Sequence, residues 1–309
     1  MTKRRSVGVV GGGLIGMSWT SLFLAKGCDV VIVDPDPAIE KRLEAFLPNA
    51  WSNLSTLGLT EDDRPSAPTI TQGYSALRNV DYVQENGPEH LETKRDIVAE
   101  IEKTVGADVV IASSTSSLRA SDIQEGARNP SRILVAHPMN PPHLVPMVEL
   151  VSGRRTSEKA LEEAELFYAL MQRVIIRVKQ EVPGHLANRL TSALFREAVH
   201  LVAEGIADVE DIDKAVAYGP GMRWAFTGPH LTYHLGGGRG GYRGYLDHLG
   251  PTQEERWKKL GKPQLTEETK AALIEGVQRE LEAQDQATLI QRRDAALVEL
   301  LKLKSSFGL

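Results

Sequence analysis

Apolar positions open the chain in two unbroken runs with a helical period between them. Residues 7–10 read as a strand buried on both faces, 14–26 as an amphipathic helix, and Asp29–Val33 as a second buried strand. Ile39, Leu43, Phe46, Leu47 and Ala50, extended by Trp51 and Leu54, then recur at helical spacing between positions 37 and 57. After a polar loop at 61–68, strand-like stretches return at Thr69–Thr71, 81–85, 109–113, 133–137, 147–150 and Val174–Val178. Helical patterns at 89–105 and 157–173 separate some of them. Strands alternating with helices imply an α/β fold with a doubly wound parallel sheet.

At Val182, Pro183 and Gly184 the texture changes. A helix is predicted over 185–204, ended by Gly205, then another over Val209–Tyr218. A glycine-rich stretch, 236–244, reads as a structured or mobile loop, and helices follow at 267–284 and 287–304. The chain therefore divides into a sheet domain, 1–182, and an all-α domain, 183–309. No internal repeat is evident.

Composition narrows the function classes. A chain of 309 residues that is 41% hydrophobic can bury a substantial core. A net charge of −5 offers no electrostatic reason to bind nucleic acid. The lone cysteine, Cys28, excludes an internal disulfide framework and suits a reducing cytoplasm. No apolar run is long enough to cross a bilayer, so no membrane partner is expected. The basic start followed by apolar residues mimics a secretory signal. Six glycines from Gly8 to Gly27 interrupt its would-be core, and the segment is read as mature sequence.

Those glycines carry the first chemical signal. Gly11, Gly13 and Gly16 stand between the first strand and the first helix as G-x-G-x-x-G, with Leu14 and Ile15 in the turn. The spacing allows a tight turn, a close backbone approach to a pyrophosphate, and a helix N-terminus aimed at the phosphates. Asp34 ends the second strand 23 residues past Gly11, near the ~20 expected of the acid that accepts ribose hydroxyls. Its carboxylate repels a 2′-phosphate, so the expected cofactor is NAD on a Rossmann-type sheet.

Four further polar positions stand out: Ser116 just past one predicted strand, His137 at the end of another, Glu149 twelve residues on, and Asn188 in the first turn of the predicted helix 185–204. Oxidising an alcohol requires removal of its proton, and histidine suits that task near neutrality. A carboxylate on the far ring nitrogen fixes the tautomer and stabilises the imidazolium. Serine and asparagine can hold the substrate oxygen. A structural histidine, a glutamate paired with a surface cation, a serine turn and a surface asparagine account for the same spacing, so spacing alone leaves both readings open.

Several segments resemble the 3-hydroxyacyl-CoA dehydrogenase superfamily. They are Val-Ala-His-Pro-Met-Asn-Pro-Pro at 135–142, Val-Glu-Leu-Val at 148–151 and Pro-Gly-His-Leu-Ala-Asn-Arg-Leu at 183–190. The glycine loop, the serine run 113–118, and Asp213, Gly219, Gly221, Gly228 and Pro229 match in order, and the likeness thins after about Leu249. The resemblance implies His137 as catalytic base, Glu149 as its partner, and Ser116 and Asn188 on the substrate oxygen. It also places Asn140 and Glu85 along the active site and cofactor groove. A helical domain that forms a homodimer is implied as well.

The segments 85–91 and 219–229 are similar to the superfamily's branch of L-gulonate and carnitine 3-dehydrogenases. That branch implies a small, polar, free L-3-hydroxy acid as substrate, gulonate-like or carnitine-like. The stretch 51–63 contains no lysine or arginine to meet the phosphates of coenzyme A. Arg223, beside Trp224, is the expected partner of the substrate carboxylate, because a guanidinium recognises a carboxylate with two parallel hydrogen bonds. The alternatives are an L-3-hydroxyacyl-CoA dehydrogenase and a non-catalytic, crystallin-like NAD-binding protein. Related dehydrogenases with a catalytic lysine are set aside, since no lysine occurs between Pro183 and Asp213.

Overall fold

The computed structural model describes residues 4–281 and 284–309. Positions 1–3, and 282 and 283 within the predicted helix 267–284, lie outside the described residues. The sheet contains β1 (Ser6–Val10), β2 (Asp29–Val33), β3 (Thr69–Thr71), β4 (Tyr82–Glu85), β5 (Val110–Ser113), β6 (Ile133–Pro138), β7 (Met147–Ser152) and β8 (Val174–Val178). Their order is β3-β2-β1-β4-β5-β6-β7-β8. All neighbours are parallel except β6 and β7, so β7 and β8 run against the rest. The sheet is the expected doubly wound, mostly parallel one, with a single reversal between β6 and β7. Residues 139–146 are too few for the crossover of a dozen or more residues that a parallel return needs.

Both faces of the sheet are covered, which is why its strands read as unbroken apolar runs. Alternate residues divide between two cores. Val7 and Val9 of β1, and Leu134 and Ala136 of β6, pack with residues of α1 (Leu14–Ala25), α2 (Ile39–Thr56) and α5 (Glu158–Leu170). Val10, Ile133 and Val135 face α3 (Leu91–Thr104) and α4 (Ala120–Ile123). Trp19 stacks on Phe23 at 5.4 Å in the first core, and Tyr82 stacks on Phe167 at 3.8 Å.

Two compact units divide the chain. The first runs to Arg189 and includes Asp294–Leu301; the second is Leu190–Arg293 with Lys302–Leu309. Helical elements continue with α6 (Ala187–Ala203), α7 (Val209–Tyr218), α8 (Pro220–Trp224), α9 (Pro229–Gly236), α10 (Gly241–Lys258), α11 (Glu267–Leu281) and α12 (Gln286–Ser306).

The glycine-rich stretch is not the predicted loop. It is the end of α9, one 3₁₀ turn at Gly238–Gly240 and the first residues of α10. A Cβ at Gly237 would lie 1.9 Å from the carbonyl oxygen of Gly241, so the close turn needs glycine. Tyr233 of α9 stacks on Tyr245 of α10 at 4.4 Å and joins the two helices. No helix among the described residues is long and apolar enough to cross a membrane.

Candidate active site

The turn after β1 is shaped by close backbone approach. Gly11 has φ +91°, and a Cβ there would lie 2.6 Å from the carbonyl oxygen of Asn86. A Cβ at Gly16 would lie 1.9 Å from the oxygen of Gly11. Helix α1 starts with no side-chain cap and no acid in its first turn. Its opening amides therefore have no intrahelical acceptor and no acid in the first turn competes for them, which suits an anionic pyrophosphate. Leu14 is half exposed and Ile15 partly buried at this mouth. Asp34 accepts from the Gly12 amide at 2.6 Å and from the Asp36 amide at 2.8 Å. Its carboxylate braces the glycine loop and still has lone pairs for a ribose. The residues present fit a dinucleotide.

The antiparallel pairing of β6 and β7 sets His137 directly opposite Glu149. Nδ1 of His137 lies 2.7 Å from Oε2 of Glu149, and both residues are buried. The other carboxylate oxygen accepts from the amides of Leu186 at 2.8 Å and Ala187 at 3.0 Å, at the start of α6. Burial pushes the Glu149 carboxyl up, but the bonds from His137, Ala187 and Leu186 outweigh it and hold the group below the usual carboxylate range. Ionised, Glu149 can only accept, so Nδ1 carries the hydrogen and Nε2 keeps the lone pair.

His137 lines a 340 Å³ cavity together with Ile15, Ser116, Asn140 and Asn188. Ser116 follows β5 in a tight serine-rich loop, and Asn188 donates through Nδ2 to its carbonyl oxygen at 3.1 Å. The structure thus gathers Ser116, His137, Asn140, Glu149 and Asn188 around one cavity and its rear wall.

Glu85 is placed differently from the expectation. It is fully buried, with Lys94 Nζ 3.0 Å from each carboxylate oxygen and with bonds from Ser113 and the Gly87 amide. It holds the wall rather than facing the groove. The acid that does line the cavity is Glu89, which sequence reading missed. Its Oε1 accepts from Thr115 Oγ1 at 2.7 Å and from the amides of Ser116 and Ser117, each at 2.9 Å. Burial raises the Glu89 carboxyl, while bonds from Thr115 and Ser117 and the nearby Lys94 charge bring it below its usual value.

Lys94, Asn86 and Gly87 also line the cavity and were not singled out. Lys94 reads in sequence as one more charge on an amphipathic helix. Only the fold shows it buried against two acids. Arg223 and Trp224 lie on the short α8 of the second unit, both with exposed side chains.

Comparison with known proteins supplies the lineage. Residues 6–182 match the model for the 3-hydroxyacyl-CoA dehydrogenase NAD binding domain, and 184–273 match that for the 3-hydroxyacyl-CoA dehydrogenase C-terminal domain. The chain is 42% identical to an L-carnitine dehydrogenase of Streptomyces coelicolor over 98% of this chain and 96% of that one. An L-carnitine dehydrogenase of Oceanobacillus iheyensis is 38% identical over 98% and 99%. Among solved structures, a 5-formyl-3-hydroxy-2-methylpyridine 4-carboxylic acid 5-dehydrogenase, an NAD+-dependent dismutase, superposes with a TM-score of 0.83. It is 26% identical and is covered over 98% of its length by 97% of this chain. The first unit carries an NAD-binding domain, the cofactor is NAD, and the chain belongs to the 3-hydroxyacyl-CoA dehydrogenase family.

Proposed function

We propose that this protein oxidises the 3-hydroxyl of a small, free L-3-hydroxy acid, with NAD as hydride acceptor and His137 as the proton acceptor. One observation carries the reading: a buried histidine–carboxylate pair, 2.7 Å apart, with its histidine on the wall of the cavity. NAD, when bound, supplies the hydride acceptor. The chain's own residues do the rest. Nε2 of His137 takes the hydroxyl proton, and Glu149, held ionised by two backbone amides, stabilises the imidazolium. Ser116 and Asn188 hold the oxygen as it becomes a carbonyl. The glycine loop and Asp34 hold the dinucleotide, and Asn140 and the Glu89–Lys94 wall shape the space beside it.

L-Carnitine, or an acid closely like it, is the proposed substrate. Full-length identity near 40% to L-carnitine dehydrogenases supports it over gulonate. The lack of lysine and arginine at 51–63 argues against coenzyme A thioesters. Arg223 is proposed to take the substrate carboxylate. A screen of NADH formation with L-carnitine, L-gulonate, L-3-hydroxybutyrate and 3-hydroxybutyryl-CoA tests the reading. Turnover of L-carnitine is the expected result, and a clear preference for the thioester overturns it. No turnover with any of them favours a dinucleotide-binding protein without activity.

We also propose a cytoplasmic homodimer. The second unit exposes Phe195, Ile274 and Val277 along an apolar groove of α6, α7 and α11, a surface suited to a second copy of this chain. A stable, active monomer by mass measurement at micromolar concentration would contradict the dimer.

A further inference from the structure

His185 is a buried titratable group beside the site that the mechanism above leaves without a task. It sits in the Pro183–Gly184–His185 turn with φ +48°, a left-handed conformation uncommon for histidine, and only 1% of it is exposed. Its Nε2 lies 3.1 Å from the carbonyl oxygen of Thr115. A carbonyl only accepts, so Nε2 carries the hydrogen, and in the neutral ring Nδ1 is a bare lone pair. Nδ1 has no hydrogen-bond partner among the described residues. The ring centroid is 5.1 Å from that of His137.

The neighbours of this ring are the working parts of the site. Thr115, which it holds, immediately precedes Ser116 and donates to Glu89. The two residues after His185, Leu186 and Ala187, donate their amides to Glu149. One side chain therefore ties the serine loop after β5 to the turn that orients the histidine–carboxylate pair on β6 and β7. Its left-handed backbone, a conformation that costs free energy, persists where the surroundings over-determine it.

We infer that His185 is a positioning residue: its Nε2–H bond to Thr115 sets the distance between Ser116, which meets the substrate oxygen, and His137, which takes its proton. The inference rests on the role proposed for His137. Burial lowers the His185 ring below its ordinary value of 6.5, and the His137 ring nearby acts in the same direction. The Thr115 bond and the charges of Glu149 and Glu89 act in the opposite one. A neutral ring suits the task, because a second imidazolium beside His137 would oppose the charge that His137 acquires in turnover.

The test uses the variants His185→Gln and His185→Met, which are close to each other in size, in the 309-residue protein. Both are unbranched and bear the same backbone strain, but only glutamine keeps an N–H near the reach of Nε2. Turnover with NAD and L-carnitine, NADH binding by fluorescence and the thermal midpoint are measured for each. The methionine variant should lose about 10- to 100-fold in kcat, the scale of a displacement near 1 Å, with NADH binding unchanged. The glutamine variant should recover most of that loss.

Wild-type kcat in the methionine variant, or equal losses in both folded variants, overturns the inference. Should methionine prevent folding, glutamine decides: near-wild-type kcat supports the inference, and a large loss in a folded protein overturns it. Nitrogen NMR of the histidine-labelled wild type adds a readout that needs no turnover, with the His185 signal assigned by its loss in His185→Gln. A neutral Nε2–H tautomer supports the inference; an Nδ1–H tautomer or a charged ring at neutral pH overturns it. Wild-type protein that oxidises none of the acids removes the His137 reading, while the NMR result still decides the tautomer.

Discussion

His137 and Glu149 face each other across the one antiparallel step of the sheet, and a 2.7 Å hydrogen bond joins them. Cross-strand neighbours are held by the ladder on both sides, so neither side chain has to be fixed by a mobile loop. The far oxygen of Glu149 is occupied by the start of α6, leaving its near oxygen for the histidine. Glu149→Gln keeps an acceptor but removes the charge proposed to stabilise the imidazolium. It should cut kcat by about 10²–10⁴, the range of general-base catalysis, with little change in the KM for NAD. Steady-state kinetics of the variant check this.

Asp34 ought to set the cofactor preference. Its carboxylate repels a 2′-phosphate while bracing the Gly12 amide. Asp34→Ser should narrow the preference for NAD over NADP and raise the KM for NAD, since the loop loses its brace. Equal catalytic efficiency of the wild type with both cofactors would contradict the role given to Asp34.

Arg223 is the residue proposed to recognise a free acid. Arg223→Lys should raise the KM for L-carnitine by the loss of one charge-assisted hydrogen bond, roughly 1.5–3 kcal/mol, and leave the cofactor KM nearly unchanged. Unchanged kinetics on the acid would sink this assignment.

Acid should weaken the fold in two steps. His185 resists protonation in the folded state, so below its ordinary 6.5 the unfolded chain binds the extra proton and stability falls. Glu149 and Glu89 lie below their ordinary 4.5 when folded, so what they contribute is complete above that value and is lost as pH falls through the lowered values. Thermal midpoints should hold near neutrality, drop below 6.5 and drop again below 4.5. His185→Gln should lack the upper step, and a single step shared by both proteins would contradict it.

The sheet was legible because strands buried on both faces leave unbroken apolar runs, and β3 and β8 fall at their predicted residues. The reversal at β7 was not, because strand direction leaves no mark in an apolar run; only the short loop before Met147 hints at it. Helices α9 and α10 were hidden by glycines that serve close packing, a tertiary property that local propensity misreads as a loop. Within the site, Ser116, His137, Glu149 and Asn188 could be named because each sits in a recognisable motif, Ser116 just past β5, His137 and Glu149 on facing strands, and Asn188 in the first turn of α6. Glu89 and Lys94 could not be, since the bonds of Glu89 to the loop 114–117 and the burial of Lys94 against Glu85 arise only in the fold. Glu85 carried the right charge in the right segment, but its carboxylate turned inward to Lys94.

The central claim is that His137 accepts the proton when NAD oxidises the acid. A single-turnover measurement of NADH formation tests it most directly, comparing wild type with His137→Ala at saturating NAD and L-carnitine. The rate should fall by about 10²–10⁴ while NADH binding stays intact. A variant that forms NADH at the wild-type rate would show that the histidine only supports the fold.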